Sequence, residues 1–448
     1  MSVDLSEKIF QKSDFNDCQT VIVAISGGSD STALLFLLRD FLAKWDQAPK
    51  ILAVTVDHRL RPESALEAEQ VASLCQKIGI EHQTVCWVDG RGQSGLSHQA
   101  RIARYGLLVS QAEKSNADMI LTGHTLNDQA ETYQMRLYRG KGRGLACMPR
   151  ESLLMRKIRL IRPLLNIKRE ELRHYLLTKK QDWIDDPTNE NPHYERVRIR
   201  QSLSEQDIDR IALEIKTAAK ERLKQSLSAA HLIRNLDLSM QHALCILKEP
   251  SFSIVNDKDY PFVIGVIASI MGGALFLPTI SQIHYIKTQM QKHHDTPYRF
   301  TLLGCIIEKT KNTLRFWREA RHQSASIVPV GLCRVWDSRF RIDNHDDRPL
   351  RAATPSYCDI HSVAERQGIK KSEIHFLSLL SSLALYSHSD IEIPVLTGGF
   401  TRLKNITCER FMHPFGWLIS SYDFPLFEVL HPIFERYLPS YTPEVQKT

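Results

Sequence analysis

Val21-Ile22-Val23-Ala24-Ile25-Ser26-Gly27-Gly28-Ser29-Asp30-Ser31-Thr32-Ala33-Leu34-Leu35 decides the fold of the first half of this chain. Val21 to Ile25 read as a buried strand, and the apolar run from Thr32 to Leu42 reads as a helix. Between them, two glycines allow a tight turn that gathers backbone N–H groups and the positive end of the helix dipole at one point. Ser26, Ser29 and Ser31 add hydroxyl donors. Such a loop at a strand-to-helix junction suits a phosphate group; the bland alternative is an ordinary turn with a Ser or Asp cap. No GxxxxGK[ST] occurs in the chain and no GxGxxG follows this strand, which disfavours a Walker ATPase and a dinucleotide fold.

Working outward, the same alternation repeats. Ile51–Val56 is expected as a second strand, Glu63–Ile78 as a helix, His82–Trp87 as a third strand, Gln99–Lys114 as a helix and Met119–Thr122 as a fourth strand. The pattern predicts an α/β fold, a doubly wound, Rossmann-like parallel sheet with its ligand at the carboxyl ends of the strands. From about Leu203 a polar, Ala- and Lys-rich stretch predicts a long helix through Leu247, and a smaller helical region covers Pro261–Gln291. After Pro297 the signal turns to β, with Phe300–Glu308, Leu314–Phe316 and Arg334–Ile342 as strand candidates. The expected domains are 1–214, an N-terminal α/β domain that carries this loop; 215–296, a helical spine and small helical domain; and 297–448, a β-rich C-terminal domain.

A chain of 448 residues, 43% hydrophobic and 24% charged, has enough apolar material for more than one core. Its nine cysteines are scattered, with no C-x-x-C pair, which argues for reduced thiols, a cytoplasmic setting and no cysteine-ligated metal. The N-terminus has no signal-peptide core. Residues 260–285 carry no formal charge, but Gly272, Gly273 and Pro278 divide them into two short helices rather than a membrane span. The net charge of +7 is compatible with a polyanionic partner.

Further candidates lie at the ends of the predicted strands. Asp57 and His58 close the second strand, where a nucleotide base can rest, or where a turn before Pro62 needs no ligand at all. Arg101 and Arg104 share one helix face, suited to neutralising a phosphate or simply to facing solvent. Asp128 and Glu131 sit three apart after Thr122 and can hold an ammonium group together; the rival reading makes them a capping box.

The Ser26–Ser31 string resembles the PP-loop of ATP pyrophosphatases, which implies that Asp30 works with magnesium. The succession of blocks is similar to the tRNA(Ile)-lysidine synthetase family over about residues 20–200. It includes Leu137-Tyr138-Arg139-Gly140-Lys141-Gly142-Arg143-Gly144, Arg162-Pro163-Leu164-Leu165, Trp183-Ile184-Asp185-Asp186-Pro187-Thr188-Asn189 and Arg196 to Arg200. The resemblance implies phosphate binding by Ser26, Gly27, Gly28, Ser29, Asp30 and Ser31, with Asp57, His58 and His124 on the ATP side. It further implies catalytic assistance from Asp30 and from Arg101 or Arg104, and lysine binding by Asp128 and Glu131. The implied reaction joins free L-lysine to C2 of the wobble cytidine in the minor isoleucine tRNA with a CAU anticodon, through an adenylated base, using ATP and Mg2+. Two departures stand out: Asn127 where many members have the first of two aspartates, and Val197 where an asparagine is usual.

A basic run from Arg136 to Arg173 reads as an RNA footprint or, in part, as a charged helix face; Arg139, Lys141 and Arg143, extended by Arg196 and Arg200, are its expected tRNA contacts. A PP-loop tRNA thiolase is the nearest alternative, but those enzymes commonly use a cysteine pair that is missing here. No membrane partner is expected, and a homodimer remains compatible with the sequence.

Overall fold

The computed structural model describes residues 4–57, 59, 64–87, 96–185, 191–248, 255–293, 296–321, 323–388, 390–398, 403 and 405–434. The chain forms two compact units, residues 1–222 with 418–422, and residues 223–417 with 423–448.

The first unit is built on one sheet. Its strands are β1 (Thr20–Ala24), β2 (Lys50–Asp57), β3 (Glu81–Cys86), β4 (Met119–Thr122), β5 (Glu151–Leu154), β6 (Ile158–Ile161) and the distant segment Leu418–Ser420. Across the sheet the order is 418–420, β5, β6, β4, β1, β2, β3. The five from β6 to β3 are parallel, with Val23 paired to Ala53 on one side and Leu121 on the other. β5 and Leu418–Ser420 run antiparallel at the edge, Ile419 lying opposite Leu153.

Helices α1 (Leu5–Ile9), α2 (Ser29–Leu42), α3 (Ser64–Lys77), α4 (Leu96–Lys114), α5 (Leu126–Tyr138), α6 (Arg169–Thr178) and α7 (Glu195–Ser202) complete the unit, and α8 (Glu205–Arg234) begins in it. Val21, Ile22 and Val23 are wholly buried because a central parallel strand is covered on both faces. α2 is apolar nearly all round and packs against both α1 and α6. Each Leu, Val or Phe buried in this core contributes about 1.5–3 kcal/mol. From β1 the chain winds outward to β2 and β3, then returns through α4 to β4 on the other side of β1. That reversal opens a crevice at the carboxyl ends of β1 and β4, where ligands of doubly wound sheets bind.

The second unit corrects several expectations. α8 ends at Arg234, and the segment expected to prolong it through Leu247 is a hairpin, β7 (Leu238–Gln241) and β8 (Leu244–Lys248), turning at His242 with φ +54°. Alternation of Leu238, Met240 and Leu244 with polar or turn residues suits a strand period better than a helical one. This hairpin joins β9 (Tyr298–Leu302), β10 (Cys305–Lys309) and β11 (Thr313–Arg318) in one sheet, in the order β7, β8, β11, β10, β9. The expected division between 296 and 297 therefore cuts through a single layer, and the first compact unit extends past the expected 214 to 222.

Phe300–Glu308 is two strands rather than one, because Leu303 and Gly304 take left-handed conformations at φ +56° and +74°. Arg334–Ile342 is likewise split into Cys333–Trp336 and Phe340–Asn344 by Asp337 and Ser338, both with positive φ. The apolar stretch forms α9 (Tyr260–Gly272) and α10 (Ile280–Lys292), with Gly273 left-handed at the first end and Thr279 capping the second start. Among the described residues no helix is long and apolar enough to cross a membrane.

Candidate active site

The loop after β1 is shaped from within. Gly27 takes φ +85°, and its carbonyl accepts from Ile184 N–H (2.9 Å) and the Thr32 hydroxyl (3.2 Å). A Cβ on Gly27 would meet Ile184 Cδ1 at 2.5 Å, so the Trp183-Ile184 segment closes over the turn. Ser31 Oγ donates to the Gly28 carbonyl (3.1 Å) and accepts from Ser26 N–H (3.2 Å), which makes it a brace of the loop. The N–H groups of Gly28, Ser29 and Asp30 at the start of α2 have no acceptor among the described residues. Three unpaired donors at a helix N-terminus form an anion cradle.

Gly123 presses on this loop from β4. A Cβ there would stand 3.0 Å from the backbone C and O of Asp30 and from Ser31 Cα. Two residues on, Thr125 caps α5: its hydroxyl accepts from Asp128 N–H (3.4 Å), while Asp128 Oδ2 accepts from Thr125 N–H (2.8 Å). The capping box is thus Thr125 with Asp128, and Glu131 takes no part in it. Asp128 Oδ1 and both Glu131 oxygens face arginines instead.

Arg196 donates from Nη2 to Asp128 Oδ1 (2.8 Å) and from Nε to Glu131 Oε2 (2.6 Å). Arg200 Nε donates to Glu131 Oε1 (2.7 Å). Arg169 Nε donates to Asp30 Oδ2 (3.0 Å), and its Nη2 lies 3.4 Å from Asp128 Oδ1. Burial works to raise the Asp128 carboxyl, but Arg196, Arg169 and the Thr125 N–H outweigh it and hold it below the usual range. For Asp30 burial wins: its carboxyl is pushed up, Arg169 pulls it part of the way back, and the neighbouring Asp128 adds to the rise.

Of the expected tRNA contacts, Arg196 and Arg200 are paired with the carboxylates of α5, because Glu131, only 1% exposed, needs counter-charge, while both side chains stay partly exposed. Most of the basic run is also engaged internally: Arg150 with Asp14, Lys157 with Glu113, Arg159 with Glu151, Lys168 with Glu205 and Asp209. Arg139 and Lys141 remain exposed, Arg139 paired with Glu195, and Arg143 is half-buried. Asp57 is buried at the end of β2, where Oδ1 accepts from Arg59 N–H (2.8 Å), a turn contact; His58 lies outside the described residues.

A second cluster forms beside β4. His124 shares a hydrogen bond with Thr122 Oγ1 (2.9 Å), and Asp128, Arg162, Arg101 and Arg104 all act electrostatically on it. Arg162, 1% exposed, follows β6 and donates to the Pro149 carbonyl and Ser152 Oγ. Arg101 stacks on Tyr105 at 5.2 Å. Arg104 has no carboxylate partner among the described residues, and burial pushes its guanidinium down from the ordinary value. A half-buried cation without a counter-ion suits an anionic ligand.

Burial also drives the His124 imidazole well below its ordinary value, so it is neutral near pH 7. Between that lowered value and about 6.5 the unfolded chain binds a proton that the folded one does not, so stability is lost as pH falls through this window. Thermal unfolding followed from about pH 7.5 to about 5.5 should show the loss, and His124→Gln should reduce the slope; an unchanged slope would place the proton elsewhere.

Arg169, Arg162 and Asn127 were the site residues least visible in sequence. Asn127 Oδ1 accepts from Arg169 N–H (2.9 Å), so the departure at 127 serves as a brace at the start of α6. Val197, the other departure, is buried in α7.

A helix-start phosphate cradle at the reversal of a parallel sheet, in a unit that also holds Arg104 without a carboxylate partner among the described residues, fits a nucleotide-activating enzyme of the PP-loop class, which uses ATP. A family model for the PP-loop domain matches residues 1–207. A tRNA(Ile)-lysidine synthase of Bartonella quintana (strain Toulouse) is 39% identical, covering 97% of this chain and 99% of that protein. One of Brucella melitensis biotype 2 is 37% identical, over 93% and 95%. The chain belongs to the tRNA(Ile)-lysidine synthase family. Among solved structures, the U34-tRNA thiolase NcsA from Methanococcus maripaludis with its [4Fe-4S] cluster aligns with TM-score 0.39 and 16% identity, over 47% of this chain and 76% of that one; no argument rests on this likeness.

Proposed function

We propose that this enzyme ligates lysine to C2 of the wobble cytidine of the CAU-anticodon isoleucine tRNA, converting its reading from AUG to AUA and its charging from methionine to isoleucine. The observation that carries the reading is the placement of two chemistries in one crevice: an anion cradle at Gly28–Asp30, and the buried carboxylates of Asp128 and Glu131, bridged to Asp30 by Arg169.

The cytosine C2 oxygen is a poor leaving group until it attacks the α-phosphate of ATP and expels pyrophosphate. The Gly28, Ser29 and Asp30 N–H groups hold the phosphates through that step, and Arg104, with Arg101 beside it, meets the charge that develops on them. Lysine then displaces AMP. Asp128 and Glu131 attract its ammonium group and hold the attacking nitrogen beside the adenylated base.

Asp30 fits magnesium as a single carboxylate ligand. Among the described residues its Oδ1 takes only the Ser29 hydroxyl at 3.2 Å, and its Oδ2 only Arg169. No group of three ligating side chains stands among the described residues, which suits an ion carried largely by nucleotide phosphates and water. Bound there, magnesium would neutralise phosphate charge and ease departure of pyrophosphate. Sulfur transfer asks for a reactive cysteine, whereas Cys147 in the glycine-rich segment is buried with its thiol pushed up to about 11.

The test supplies ATP, magnesium, labelled lysine and the CAU-anticodon isoleucine tRNA. Wild type is expected to transfer lysine in step with pyrophosphate release, and Asp30→Ala to lose both by about a hundredfold or more. Pyrophosphate release without lysine transfer in a folded wild type would point to a different nucleophile.

A further inference from the structure

The carboxylates of the crevice are already occupied from within. Asp30, Asp128 and Glu131 meet Arg169, Arg196 and Arg200, three negative charges against three positive, so an arriving amine finds no uncompensated charge. Arg169 differs from the other two arginines. Its shortest contact is with Asp30 in the nucleotide loop, at 3.0 Å, while its contacts to Asp128 and Glu131, at 3.4 and 3.8 Å, are loose. Arg196 and Arg200 grip the pair at 2.6–2.8 Å. Among the described residues, Arg169 alone spans the nucleotide side and the amine side.

Its backbone is held in place. Arg169 N–H donates to Asn127, and Leu126 N–H to the Ile167 carbonyl (2.9 Å), so the start of α6 is tied to the start of α5 and the side chain is the part left to move.

We propose that Arg169 is a positioning residue that makes amine binding conditional on nucleotide: without nucleotide its guanidinium shields Asp128 and Glu131, and with magnesium nucleotide at Asp30 it shifts onto the phosphates and uncovers the pair for lysine. The proposal rests on the assignment of Asp128 and Glu131 as the amine site. A desolvated guanidinium displaced from Asp30 cannot stay unpaired, and phosphate oxygens offer it a bidentate, charge-assisted acceptor. Its departure removes one of the two guanidinium groups at Asp128 Oδ1 and the looser contact at Glu131, which frees acceptor positions that a lysine ammonium can take. Linkage makes the effect reciprocal, so lysine must tighten nucleotide binding by the same factor.

Equilibrium binding of labelled L-lysine to the full chain, with and without α,β-methylene-ATP and magnesium, reads this directly. Wild type should bind lysine about tenfold or more tightly with the analogue present. Arg169→Gln should bind lysine equally well in both conditions, within about twofold, and more tightly than wild type when nucleotide is absent. If Arg169→Gln does not fold, Arg169→Lys carries the test: an ammonium lacks the planar fork that spans three carboxylates, so the coupling should shrink. Absent or negative coupling in wild type, or undiminished coupling in the Arg169 variants, overturns the proposal. Glu131→Gln separates the two levels: it should lose lysine binding in both conditions, and if it binds normally the amine-site assignment fails as well.

Discussion

Glu131→Gln is expected to lower lysine transfer by about a hundredfold or more while ATP-dependent pyrophosphate release on the tRNA persists. The side chain is buried at the first turns of α5 and both its oxygens accept from arginine, Oε1 from Arg200 and Oε2 from Arg196. Glutamine keeps the volume but presents an NH2 group where an acceptor is required, so one guanidinium loses its partner and the amine loses half its counter-charge. Breaking a buried pair costs about 3–5 kcal/mol, but Arg196 and Arg200 are 40% and 31% exposed, and solvent screening brings the expected loss nearer to about 1–2 kcal/mol. Urea unfolding measures that loss, and transfer measured beside pyrophosphate release on the same preparation isolates the chemical effect. Parallel loss of both activities would place Glu131 in the adenylation step instead.

Gly123→Ala is expected to suppress pyrophosphate release and lysine transfer together. The added methyl group would stand 3.0 Å from main-chain atoms of Asp30 and Ser31, which cannot rotate aside as a side chain would. The start of α2 must back away, and with it the N–H groups that hold phosphate. A displacement near 1 Å costs about a hundredfold in rate, and overpacking of this kind costs about 1–3 kcal/mol in stability. Gly79→Ala is the matched control. At φ +70° it is strained but has nothing within 4 Å, so it should cost about 1 kcal/mol without changing either activity. Equal activities in Gly123→Ala and wild type would mean that the approach of β4 to the loop is not what sets the cradle.

The parallel sheet and its cradle were legible in sequence because local signals agreed. Val21–Ile25 is uniformly apolar, Gly27 and Gly28 mark the turn, and the amphipathic repeats give the βα order. The carboxylates of α5 were legible too, although local pattern could not separate a cap from a binding pair; Asp128 turns out to cap with Thr125 while facing arginines. What stayed hidden depends on contacts between distant parts of the chain. Arg169 and Arg196 look like members of a basic surface until α6 and α7 fold against α5, and no spacing rule links residue 128 to residue 196. The β7–β8 hairpin was hidden for another reason: it follows a long helix with no Gly or Pro between Arg234 and Leu238, and its turn uses His242 in a conformation that glycine more often supplies.

The edge strand Leu418–Ser420 sets a clock on the protein's birth. β5 leaves the ribosome long before its antiparallel neighbour is translated, and at about 5–20 residues per second the delay is on the order of tens of seconds. Through that interval the nascent sheet has an open border, able to recruit a stray strand from another chain. A polypeptide released after β5 but before residue 418 would keep that border, an unpaired strand edge open to pairing with another chain.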